Sequence, residues 1–143
     1  MASLKYSFFF YGTLMDDLVL EIVTGKNYPR MRQQRGILEN FKRVKVKGAQ
    51  YPAIISSIGN QVDGIFVEGV LSEGVACLDD FEDDQYERKS VSVSLGDGRR
   101  VKALAYIAGS QMLLEDKEWN FEHWKLNYRP EFLKKLKKGM RVY

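Results

Sequence analysis

Glu82 is a carboxylate at a position where the surrounding pattern asks for an apolar side chain. Residues 72–82, SEGVACLDDFE, read as a short helix with Ser72 as N-cap. Val75, Leu78 and Glu82 stand at helical spacings of three and four, so they share one face, with Phe81 at its border. That face is the apolar one. Ionised side chains are seldom buried without a partner, and desolvation raises a carboxyl pKa. A raised pKa suits a general acid/base near neutral pH. The same spacing allows a second reading, in which the helix stops at Phe81 and Glu82 points into water.

Tyr11-Gly12-Thr13-Leu14 forms a second candidate. A strand delivers the chain to a glycine turn and a helix starts just after it. Such turns leave backbone N–H groups aimed at one point, which suits a carboxylate or a developing oxyanion, although strand–Gly–helix turns are also common scaffolding. Tyr86 and Arg88 lie two residues apart and so point the same way on a strand. Together they are able to hold the Glu82 carboxylate or to contact a substrate carboxylate; the plain alternative is an ordinary strand with an exposed arginine.

Other chemistries find less support. The acidic run from Asp79 to Asp84 lacks the spacing of a calcium loop and reads as a solvated helix end. His123 is the single histidine and Cys77 the single cysteine, which excludes Ser–His–Asp, Cys–His and His-based zinc sites and any intrachain disulfide. There is no phosphate-loop or dinucleotide signature. We expect no metal and no cofactor.

These groups need elements to position them. Residues 6–11, YSFFFY, form a near-continuous aromatic run ended by Gly12, as in a strand buried on both faces. Residues 16–23 read as a helix with acids in its first turn and Gly25 past its end. Candidate strands follow at 36–38, 44–47, 53–55 and 62–70. After the helix carrying Glu82 comes a hairpin, 86–95 with 99–108, turned at Gly96-Asp97-Gly98. The last thirty residues read as helical, with Asn120 as an N-cap, Pro130 at the start of the final helix, and an apolar stripe of Phe132, Leu133, Leu136 and Met140. At 143 residues the chain is one domain. We assign an α+β fold, a small mixed β-barrel flanked by short helices, with residues from about 111 to 143 as a C-terminal helical extension packed on it.

A net charge of +3, from 22 basic and 19 acidic residues, is too balanced to announce a polyanion partner. The lysines at 134–138 and the basic residues at 42–47 read as solvated faces, since neither set interleaves aromatics with cations. No nucleic acid is expected. No apolar run is long enough for a bilayer span and no signal peptide is evident, so no membrane is expected and the chain reads as cytoplasmic. Oligomeric state is open, with a monomer favoured.

Phe10-Tyr11-Gly12-Thr13-Leu14, then Tyr51-Pro52-Ala53, then Leu78-Asp79-Asp80-Phe81-Glu82 followed by Tyr86-x-Arg88, resemble the γ-glutamylcyclotransferase-like family. The likeness is nearest to its γ-glutamylamine cyclotransferase and plant avirulence-induced-gene branch. Residues 119–124, WNFEHW, look like the tryptophan-containing segment of the plant-type members. The resemblance implies a β-barrel with the active site in its mouth. It implies cyclisation of a small-molecule γ-glutamyl amide or peptide to 5-oxoproline, with release of an amine or amino acid. It makes Glu82 the catalytic residue, and Tyr11, Gly12, Thr13 and Leu14 the loop that grips the glutamyl end. The alternative is a non-catalytic binding protein of the same fold that recognises a γ-glutamyl or other small carboxylate ligand. Two departures stand out: Asp83 follows Glu82 where many members have Gly, and Met15-Asp16-Asp17 follow the first loop where relatives often carry a basic residue and a Gly. The second is expected to set acids beside the carboxylate-binding loop.

Overall fold

The computed structural model describes residues 4–29, 33–82 and 84–139. Strand β1, Lys5–Phe10, sits between β3, Pro52–Leu71, to which it is antiparallel, and β5, Arg100–Ala108, to which it is parallel. Each face of β1 meets its own core. Phe8 and Phe10 pack with Val70, Leu78, Tyr106 and Trp124, while Phe9 packs with Leu38, Ile54, Phe66 and Val93. Burial on both faces is why the strand reads as an unbroken aromatic run rather than an alternating one.

Strand β2, Gln33–Val46, and β3 form one long antiparallel hairpin. The four short strands expected between residues 36 and 70 are segments of these two. Asn40 and Gly59, which look like strand ends, instead mark irregularities inside continuous strands, whereas Pro52 does begin β3. Asn40 is left-handed at φ 64° beside a register shift between Glu39 and Phe41, and Gly59 has φ +88°. Strand β4, Tyr86–Leu95, and β5 make the expected hairpin around Gly96-Asp97-Gly98, with Val91, Val93 and Leu95 buried. A two-residue strand β6, Leu114–Glu115, pairs with the end of β2.

The sheet order is β3-β1-β5-β4-β2-β6, and a further β3–β2 pairing returns it to its starting strand. Among the described residues this is a mixed, six-stranded, strongly curved sheet with four α-helices, not a regular barrel. The β2–β4 contact is two residue pairs and the β1–β5 contact one, so its circuit is narrow at those places. Gly64 permits the tight curvature: a Cβ there would lie 2.3 Å from the Phe10 carbonyl oxygen.

Helix α1, Asp17–Thr24, is capped by Asp16, whose Oδ1 accepts from the Leu18 and Val19 amides, and ends at a left-handed Gly25. Helix α2, Ser72–Phe81, follows β3 without a linker, so Ser72 is already helical and Leu71 occupies the N-cap without a side-chain bond. Helices α3, Phe121–Asn127, and α4, Arg129–Lys137, cover the α1–α2 side through Trp124 and Leu133; Asn120 caps α3 and Pro130 lies in the first turn of α4, as expected. Met140 and Asp83 lie outside the described residues. Among the described residues no helix is long and apolar enough to cross a membrane.

Candidate active site

The first loop leaves β1 at the edge of the aromatic core and turns at Gly12 into one turn of 3-10 helix, Thr13–Met15. Tyr11, Thr13 and Leu14 are buried, which fixes the loop from beneath. Tyr11 Oη donates to the Tyr106 carbonyl at 2.6 Å. Glycine suits position 12 because the Pro52 ring lies close, with Cγ and Cδ 3.1 Å from where a Cβ would stand. Among the described residues the Gly12 and Leu14 N–H groups donate to no protein acceptor.

Glu82 follows neither of the two readings of its spacing. Helix α2 stops at Phe81, and Glu82 is its C-cap with an extended backbone (φ −71°, ψ 148°), its N–H bonded to the Leu78 carbonyl at 3.0 Å. The helix end turns it out of the apolar stripe, yet the residue is only half exposed. It lines an inner cleft together with Tyr11, Gly12, Thr13 and Leu14, and Tyr51, Pro52, Tyr86 and Tyr106 complete the wall. The cleft is tight at about 20 Å³, the room of roughly one water.

Glu82, Tyr86 and Tyr106 also line a second, outer hollow of about 300 Å³, whose other walls are Asp79, Asp84 and Arg88. Glu82 therefore stands where the two spaces meet. Tyr86 Oη donates to the Pro52 carbonyl at 2.5 Å and so spans from β4 to the start of β3. Arg88 does not reach the inner cleft. Its guanidinium pairs with Asp79 Oδ2, while Tyr106 Oη donates to Asp79 Oδ1 at 2.7 Å.

Asp79 and Tyr106 are the residues that sequence reasoning missed. The signal for both was present. Asp79 lies in the last turn of the helix that Glu82 caps, three residues before it, and the β4–β5 register set by the Gly-Asp-Gly turn places Tyr106 directly opposite Arg88. Burial raises the Tyr106 phenol well above its ordinary value, its hydrogen bond to Asp79 and the charges of Asp79 and Glu82 add to this, and Arg88 offsets part. Tyr11 is likewise raised, first by burial and then by the Glu82 charge. Both hydroxyls remain proton donors through the neutral range. For Arg88, desolvation alone would lower the pKa, but the hydrogen bond and charge of Asp79 outweigh it and hold it above the usual value.

The acids after the first loop are accounted for by the fold. Asp16 is 7% exposed; it caps α1 and takes a two-point contact from Arg129 of α4, so its charge is spent on packing two helices. Asp17 is exposed on the first turn of α1. Asp16 does follow the loop directly, as expected, but its charge is met by Arg129. Among the described residues no three His, Cys, Asp or Glu side chains group at metal-binding distances.

A buried strand, a glycine loop and a helix-terminal glutamate thus meet around one cleft of a small α+β domain. Residues 8–126 match the family model described as gamma-glutamyl cyclotransferase, AIG2-like, and the chain belongs to that family. AIG2-like protein D of Arabidopsis thaliana is 33% identical over 138 residues, covering 92% of this chain and 87% of the relative. AIG2-like protein C of the same plant is 28% identical, over 93% and 77%. A solution structure of an Arabidopsis thaliana protein superposes with TM-score 0.70 at 26% identity, over 96% of this chain and 84% of the other. A structure described as a gamma-glutamyl cyclotransferase gives TM-score 0.68 over 94% and 87%; at 17% identity that likeness is of fold alone.

Proposed function

We propose that the chain is a cofactor-independent γ-glutamyl cyclotransferase with Glu82 as its general acid/base. The observation that carries this reading is that Glu82 and the Tyr11–Leu14 loop, 68 residues or more apart in sequence, line one cleft. The α-amine of a γ-glutamyl group is an ammonium ion at neutral pH and must lose a proton before it attacks the γ-carbonyl. Glu82 takes that proton. The new C–N bond closes the five-membered ring, and the negative oxygen that forms is met by loop N–H groups. Collapse breaks the original amide bond, with Glu82 returning its proton to the departing amine; the ring nitrogen then gives up its second proton, which the released amine carries away as an ammonium ion. The products are 5-oxoproline and that amine. Because attack is intramolecular, a narrow cleft that holds the glutamyl chain folded supplies much of the rate. At about 20 Å³ the cleft must widen to admit it.

The leaving group departs through the outer hollow. There Arg88 is engaged by Asp79, which leaves Asp84 as an exposed negative charge on the wall. A departing amino acid would bring its own carboxylate against that charge; a plain amine would not. γ-Glutamylamines are therefore preferred over γ-glutamyl amino acids of similar size, by about fivefold in kcat/KM, the scale of one exposed charge.

The test is release of 5-oxoproline from a panel of γ-glutamylamines and γ-glutamyl dipeptides, with Glu82→Gln as control. The expected loss in Glu82→Gln is roughly 10²- to 10⁴-fold with folding intact. A variant within about threefold of the parent sinks the role of Glu82. Ligand binding by calorimetry with no 5-oxoproline from any panel member favours a binding protein on the same fold.

A further inference from the structure

Arg43 lies on β2 and does not line the inner cleft, yet it grips the loop that does. Its Nη1 donates to the Tyr11 carbonyl at 2.9 Å and to the Asp63 carbonyl at 3.0 Å, and its Nη2 donates to Asp63 Oδ1 at 2.9 Å. The guanidinium also lies 6.0 Å from the centre of the Trp119 ring, and Trp119 is itself held by its Nε1 donating to the Gln50 carbonyl at 2.9 Å. The alternating Val and basic residues of 42–47 suggest a wet face here, but the Arg43 side chain is only 18% exposed. The Asp63 carboxylate is 72% exposed, so the ion pair itself adds little stability. What the three-acceptor grip fixes is the direction of one peptide group.

The bond between Tyr11 and Gly12 is trans, as are all peptide bonds described. In a trans peptide the C=O and N–H point in opposite directions. Holding the Tyr11 oxygen on the β2 side therefore turns the Gly12 N–H to the other side, toward the cleft that Gly12 lines. A charged donor on the carbonyl also polarises the peptide and makes its N–H a stronger donor. We infer that Arg43 is a positioning residue for oxyanion stabilisation, holding the Tyr11–Gly12 peptide so that the Gly12 N–H meets the γ-carbonyl oxygen of the substrate. This rests on the cyclotransferase reading. A lysine cannot reproduce it, because a point charge on a flexible stem does not hold both Tyr11 and Asp63 oxygens in one plane.

The test uses Arg43→Met, which keeps the stem, and Arg43→Lys, with kcat and KM read separately on the best panel substrate. An oxyanion donor acts in the transition state, so Arg43→Met lowers kcat by roughly 10²- to 10³-fold and leaves KM within about threefold. Arg43→Lys, which keeps the charge if the methionine variant fails to fold, lowers kcat by about tenfold. A folded variant of either kind with parental kcat, or with a change in KM alone, overturns the inference. The Gly12 amide resonance during titration with 5-oxoproline is a readout independent of turnover. It shifts in the parent, and in Arg43→Lys the response is largely lost. Equal responses in the two, or none in the parent, overturn the role of Arg43. Failure of the parent to form 5-oxoproline overturns the enzymatic reading instead, while the amide shift still decides whether Arg43 aims the loop.

Discussion

Asp79 keeps a cation away from the proposed acid/base. Its two oxygens bind Tyr106 and Arg88 on the outer side of Glu82, and Arg88 shares the hollow with Glu82. If Asp79 loses its charge, Arg88 is left to the other carboxylates that line the hollow, Glu82 and Asp84, and its approach to Glu82 is the consequence for the chemistry. An arginine beside a carboxylate lowers its pKa by about 1 to 3 units, which weakens it as the base that must take the ammonium proton. Asp79→Asn is therefore expected to cost about tenfold in kcat, and the double variant Asp79→Asn/Arg88→Met to regain most of it. Stability changes little, because both side chains are more than a third exposed. Steady-state rates on the three proteins check this; a double variant no faster than Asp79→Asn would mean that Asp79 acts otherwise.

At the scale of elements, local chemistry was legible and distant pairing was not. The α1 boundaries, the Asn120 cap and the β4–β5 hairpin follow from caps and turn residues a few positions apart. The 14- and 20-residue strands β2 and β3 look like fragments in the sequence, because a bulge or a left-handed residue inside a strand has the same local signature as its end. The spacing of Glu82 places it on the helix, whereas the helix stops first and Glu82, as its extended cap, lines the cleft. Arg129 could not be matched with Asp16 at all, since 113 residues separate them. That pair joins α1 to α4 and predicts a graded loss. Asp16→Ala removes the cap and strips Arg129 of its partner, and should destabilise by about 2–4 kcal/mol. Asp16→Asn keeps the cap and should cost roughly half as much. Urea unfolding of the three proteins checks the order; equal losses would show that the cap contributes nothing.

Across the whole molecule, the proposed site sits on the seam between two cores. Phe8, Phe10 and Tyr106 belong to the core covered by the helices, whereas Phe9, Tyr11 and Ile54 belong to the core inside the curved sheet. The Tyr11–Tyr106 hydrogen bond ties the two together beside Glu82. The placement of both tyrosines gives the molecule an alkaline limit. Burial and nearby carboxylates raise both phenols in the folded state, whereas in the unfolded chain each titrates near its ordinary value of about 10. A raised folded pKa contributes stability that is fully present below the unfolded pKa. Above about pH 10 the unfolded chain releases protons that the folded chain keeps, so stability falls as pH rises. Each such tyrosine adds a slope of about 1.4 kcal/mol per pH unit in that window. Tyr11→Phe loses the inter-core hydrogen bond and should be less stable than the parent at pH 8 by about 1 kcal/mol. The gap should narrow between pH 10 and 11, since the variant has one fewer proton to hold. Urea unfolding at pH 8, 10 and 11 measures it; a gap that stays constant or widens would show that the Tyr11 phenol ionises in the folded protein as freely as in the unfolded chain.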